Sequence, residues 1–102
     1  MLRHLLHYGI HFLLPLIIAY WAYRDRWPRV ALILLAGIAL DVDHLWADPI
    51  FDPDRCSIGF HPLHSRWAIL GYCLLPFFKA TRIIGLALII HILADSMDCL
   101  LR

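Results

Sequence analysis

Four long apolar runs leave this chain little choice of architecture: Leu5 to Tyr23, Val30 to Trp46, Leu63 to Phe78 and Ile83 to Leu101. A membrane-spanning helix needs about 20 residues, with about 17 tolerated, so the second and third runs have to borrow flanking residues. No run alternates with the period of a barrel strand, and backbone satisfaction in lipid then leaves a helical bundle. His7, Gly9, His11 and Pro15 interrupt the first run and no small-residue cleavage site follows it, so it reads as a retained helix and not as a signal peptide. Of the 102 residues 62% are hydrophobic and 17% charged, against roughly 45–50% and about 25% in soluble domains. A water-soluble domain this small would expose aggregating patches, so lipid has to cover the chain. The formal net charge of +1 excludes the basic stripe that nucleic-acid binding needs.

The expected fold is therefore all-α: a four-helix transmembrane bundle, up-down-up-down, forming one integral membrane domain over residues 1–102 with helices near 5–23, 30–46, 63–78 and 83–101. The first and third connections are short. Ala47 to Pro62 is the one long, irregular loop, rich in Pro and lying between helices two and three. Tyr20-Trp21-Ala22-Tyr23 followed by arginines marks a membrane interface. Arg24, Arg26, Arg29, Lys79 and Arg82 flank the short loops, against Arg3, Arg55, Arg66 and Arg102 at the opposite face. The positive-inside rule places the short loops in the cytoplasm and both termini outside. The expected location is the bacterial inner (plasma) membrane as a multi-pass protein.

The polar residues carry the functional signal. There are seven His and eight Asp, yet no Glu and one Lys. With alternating helices, every His and every Asp except Asp25 falls at one membrane face. His7 and His11 lie roughly 3 and 9 Å inside the start of helix one, and His91, Asp95 and Asp98 roughly 15, 9 and 5 Å from the end of helix four. Residues at i, i+3, i+4 and i+7 share a helical stripe. His4, His7 and His11 do so, as do Asp41 with His44, His61 with His64 if helix three begins early, and His91 with Asp95 and Asp98. An Asp facing lipid at a helix centre costs about 2.5–3.5 kcal/mol even on an insertion scale, so these stripes have to face one another.

Imidazoles and carboxylates at this density suit divalent metal, zinc best, with manganese or iron as alternatives. At about four ligands per ion the donors His7, His11, Asp41, His44, His61, His64, His91 and Asp95 suggest two or three ions sharing carboxylates. Asp43 and Asp98 are the candidates to orient or deprotonate water, and Arg55 and Arg66 to hold an anionic head group. On an ideal helix Asp43 sits about 200° round from Asp41, so it reaches the site only if the helix ends there. His4 reads as interfacial, and Asp48, Asp52 and Asp54 as turn and cap residues. A metal-free polar network that fixes packing is the structural alternative. A b-type haem between His11 and His91 is another, disfavoured by the surrounding carboxylates. Cys56 and Cys99 fall at the same face and can form a disulfide outside the cytoplasm, with thiolate ligation as the alternative, while Cys73 reads as a packing residue.

Asp41-Val42-Asp43-His44, His61-Pro62-Leu63-His64-Ser65 and His91-Ile92-Leu93-Ala94-Asp95 resemble, in order and position, the motifs of the YdjM-like family of small membrane-bound metal-dependent hydrolases. With His7-Tyr8-Gly9-Ile10-His11-Phe12 and Arg55-Cys56-Ser57-Ile58-Gly59-Phe60 added, the chain looks like a short relative classed as a domain of unknown function. The resemblance covers nearly the whole chain, although its His-x-x-His-Ser spacing is the shorter form. It implies metal-dependent hydrolysis, with similarity to zinc phosphoesterases, and the position of the site just below the interface suits a lipid-derived phosphoester or ester as substrate. The competing expectation is a non-catalytic metal-binding or structural accessory subunit of a membrane complex, or a homo-oligomer, in contact with membrane lipid.

Overall fold

The computed structural model describes residues 2–50 and 55–101. Among them the chain is all-helical, with four helices and no strand. Helix α1 is Leu2–Ala22. Helix α2 is Trp27–Leu35, continued as a 3-10 helix over Ala36–Trp46. Helix α3 is Arg66–Leu74, entered through the 3-10 turn Pro62–His64 and left through a second, Leu75–Phe77. Helix α4 is Arg82–Leu100. Asp52 and Asp54, expected as turn residues, lie outside the described residues.

Within that set, α1 and α4 are the helices long and apolar enough to cross a membrane. The expected third span, Leu63 to Phe78, is divided instead. Ser65 caps α3, its hydroxyl accepting from the Ala68 N–H at 3.2 Å, and Pro76 has no N–H with which to continue the helix. The nine α-helical residues cover about 14 Å, far less than a hydrocarbon core of about 30 Å.

The contacts fix the directions. Arg3 pairs with Asp98 and His11 with Asp95, so α1 runs antiparallel to α4. Gly37 abuts Ala87 while Asp41 meets His91, so α2 runs parallel to α4. Gly85 abuts Pro76 while His91 meets His64, so α3 is antiparallel to it. The chain therefore alternates up, down, up, down, with α4 in contact with all three other helices.

The bundle is divided along its length. At one end Ala19, Val30, Ala31, Leu34, Ala87 and Ile90 form the apolar core. At the other, the buried polar residues among those described are His11, Asp43, His61, His64, His91 and Asp95. Large apolar side chains face outwards, among them Trp67 at 84% and Trp21 at 80% exposure, an inversion of the usual soluble arrangement. Around the first connection Arg24 lies over the Tyr20 ring at 4.5 Å, and Tyr20 meets Trp27 edge-on at 5.9 Å.

Close approach of α2 and α4 depends on Gly37. A Cβ there would stand 2.6 Å from the Ala87 carbonyl oxygen. Gly37 and Ala87 sit about one turn before Asp41 and His91 respectively, so this contact sets the spacing at which those two side chains meet. Gly37→Val is expected to destabilise the fold by about 1–3 kcal/mol through overpacking. Thermal unfolding in detergent checks this, and an unchanged Tm would show that the contact is not limiting.

Candidate metal centre

Four donor atoms from three elements converge between α2, α3 and α4. Asp41 comes from the 3-10 half of α2, His64 from the turn before α3, and His91 and Asp95 from successive turns of α4. His64 Nε2 lies 2.8 Å from Asp95 Oδ2, 3.1 Å from His91 Nε2 and 3.7 Å from Asp41 Oδ1. His91 Nε2 lies 3.0 Å from Asp41 Oδ1 and 3.2 Å from Asp95 Oδ2. Tetrahedral donors held about 2.0–2.1 Å from one ion are separated from one another by about 3.3–3.4 Å, so the observed edges straddle the required value.

The contacts around the His64 ring point the same way. His64 Nδ1 is 2.7 Å from Asp43 Oδ2, so that carboxylate anchors one edge of the ring and leaves Nε2 turned towards the cluster. Two facing Nε2 atoms can share at most one hydrogen along their line. Asp95 Oδ2 is buried, with His64 Nε2 at 2.8 Å and His91 Nε2 at 3.2 Å, yet it makes no well-aligned hydrogen bond to either. A cation at the centre satisfies all four donors at once, and two imidazole nitrogens with two carboxylate oxygens suit a first-row divalent ion.

Asp43 takes a different part in the site. Fully buried, it accepts from the Leu63 N–H at 3.0 Å as well as from His64, while its other oxygen lies 3.2 Å from His44 Nδ1. The ideal-helix reading turned this side chain away from Asp41 unless the helix ended there. The helix does not end; it tightens. At three residues per turn Gly37, Leu40 and Asp43 form one buried stripe, and Asp43 and Asp41 approach His64 from opposite edges of its ring.

Two further His/Asp groups adjoin this one. His7, His11 and Asp95 form the first, and Asp43, His44 and His61 the second. His61 stacks on His44 with centroids 4.0 Å apart. Burial, with the neighbouring His44 imidazole, holds its pKa below the ordinary histidine value, so the ring is neutral at physiological pH. A cavity of about 340 Å³ opens beside the cluster, and Arg3, His7, His11, Asp41, His44 and Asp95 are among its lining residues.

The remaining candidates separate by position. Asp98 lines the cavity and accepts from Arg3 Nε at 2.7 Å. Arg55 also reaches the cavity, where it donates to the Pro49 and Ile50 carbonyls and covers the Phe60 ring. Arg66 is exposed at the start of α3 and does not line that cavity. Sequence reasoning missed Arg3, although its place one turn before His7 on the His7–His11 stripe carries the signal. Cys56 and Cys99 form a disulfide that ties the long loop to the end of α4, and Cys73 is exposed on α3. Intact-mass measurement is expected to show two hydrogens fewer than in the reduced protein; three free thiols in freshly isolated material would exclude the bond.

Residues 1–102 match the model of a family of unknown function, DUF6122. The chain belongs to that family. No curated protein and no solved structure matches it. For this DUF6122 member the site geometry itself therefore carries the functional reading.

Proposed function

We propose that the protein is an integral, multi-pass membrane hydrolase that is metal-dependent and acts on a lipid-derived phosphoester or ester. The observation that carries this reading is the convergence of Asp41, His64, His91 and Asp95 at tetrahedral donor spacing beside a cavity. The resemblance of the motifs around these residues to the YdjM-like hydrolases supports the same class. The outward apolar surface supports burial in a bilayer, with α1 and α4 as the spanning helices. When bound, a divalent cation supplies Lewis acidity and lowers the pKa of water.

The protein's own groups set up that chemistry. Asp43 fixes the His64 ring, so it is a positioning residue. Asp41, partly exposed, stands between the cluster and the cavity. Arg3 and Arg55 line the cavity and supply positive charge for an anionic phosphoryl group, Arg3 being oriented by Asp98. The cluster lies at the end of the bundle expected at the non-cytoplasmic interface, where an ester can reach it without leaving the bilayer.

Elemental analysis of protein purified without chelators is expected to find zinc, manganese or iron at one equivalent or more. Turnover of a phospholipid phosphoester in mixed micelles is expected to disappear in His91→Ala. Metal-free protein overturns the metal reading. Metal-loaded protein without turnover on phosphoesters or carboxylic esters replaces it with a non-catalytic metal-binding subunit.

A further inference from the structure

We propose a second cation site on His7 and His11 of α1, joined to the four-donor centre by Asp95 as a bridging carboxylate. This rests on reading that centre as a metal site. The two oxygens of Asp95 face different partners. Oδ2 lies against His64 and His91, whereas Oδ1 lies 3.5 Å from His11 Nε2 and 3.7 Å from His7 Nδ1. Both Oδ1 distances are too long for good hydrogen bonds, which run at about 2.7–3.2 Å. They are close to the donor–donor edge of about 3.3–3.4 Å expected around one ion. The three residues each offer a ligand atom within 4.8 Å of the others.

The backbone of α1 is shaped for this pair. Pro15 cannot donate to the His11 carbonyl four residues back, and the Leu14 N–H bonds the Gly9 carbonyl five residues back, making a π-helical turn over Gly9–Leu13. His11 lies within that turn, buried, and the His7 and His11 rings stand edge-on with centroids 4.6 Å apart. His7 Nδ1 also lies 3.2 Å from the Ala94 carbonyl oxygen. The Ala94 and Asp95 contacts both fall on Nδ1, so a cation bound by His7 at that atom would displace the hydrogen shared with Ala94.

The two sites differ in kind. The first has four protein donors, one of them the cavity-lining Asp41; the second has three, which would leave a coordination position for water. His7, His11 and Asp95 line the same cavity as Arg3 and Asp98. Two-metal hydrolytic sites hold their ions about 3.5–4 Å apart, a separation one carboxylate can bridge. The Asp43, His44 and His61 group is not a third site of this kind. Both Asp43 oxygens are already engaged, one by His64 and the Leu63 N–H and the other by His44.

The test is metal stoichiometry by elemental analysis after equilibrium dialysis of the detergent-solubilised protein against zinc, with cobalt absorption as a second readout. Wild type is expected to hold two equivalents, and His7→Ala/His11→Ala one, with the tetrahedral cobalt band of the first site retained. His11→Gln keeps the volume but weakens ligation; it is expected to hold one equivalent and guards against misfolding of the double variant. One equivalent in wild type, or two in both variants, overturns the second site and leaves the four-donor centre standing. No bound metal in wild type overturns both.

Discussion

Asp95→Ala is expected to strip the protein of bound metal and reduce turnover to background. Asp95 is the one side chain shared by the four-donor centre and the His7–His11 group, so its loss exceeds the factor of about 10–100 typical of an outer-shell partner. Metal that binds only the native state stabilises it by mass action, by about 2.7 kcal/mol when free metal stands at a hundred times its Kd. Wild-type Tm is therefore expected to rise with added zinc and fall with chelator, while Asp95→Ala responds to neither. A metal-dependent Tm rise in the variant equal to that of wild type would refute the assignment. His91→Ala, which leaves the His7–His11–Asp95 group intact, is expected to keep a partial response.

The second large effect is expected at a residue that does not touch the ion. Asp43 holds His64 by a 2.7 Å hydrogen bond and is itself fully buried. Asp43→Asn keeps an acceptor for His64 and for the Leu63 N–H but removes the charge that strengthens the imidazole as a ligand. Metal affinity is expected to fall about 10–100-fold with the fold retained. Asp43→Ala also leaves buried donors unpaired, at about 1–3 kcal/mol each, so it is expected to lower stability as well as affinity. Competition against a chromogenic chelator reads the first effect and thermal unfolding the second. Wild-type affinity in both variants would show that Asp43 does not support the site.

Much of this arrangement is legible in the amino-acid sequence because it follows from periodicity and sidedness. Apolar runs define four helical segments, short connections force them to alternate, and alternation collects the histidines and aspartates at one end. The His91–Asp95 pair is of this kind, since i and i+4 share a stripe on any regular α-helix. The disulfide partners are likewise readable as residues at one face. Helix lengths are less so. Leu63 to Phe78 is apolar enough to read as a span, but hydropathy does not register how Ser65 and Pro76 confine the α-helix between them.

What the sequence alone determined is the class: an all-helical, apolar chain whose histidines and all but one of its aspartates gather at one end. The tertiary structure decided the division of labour within that end. Among the places where local winding departs from 3.6 residues per turn are a π-turn at His11 and a 3-10 stretch through Asp43. Each rotates a side chain by an amount that no fixed-period reading contains. Which carboxylate bridges, which supports and which orients an arginine depends on approach distances between helices far apart in sequence. Those distances are set by packing such as Gly37 against Ala87, and they exist only once the helices are assembled.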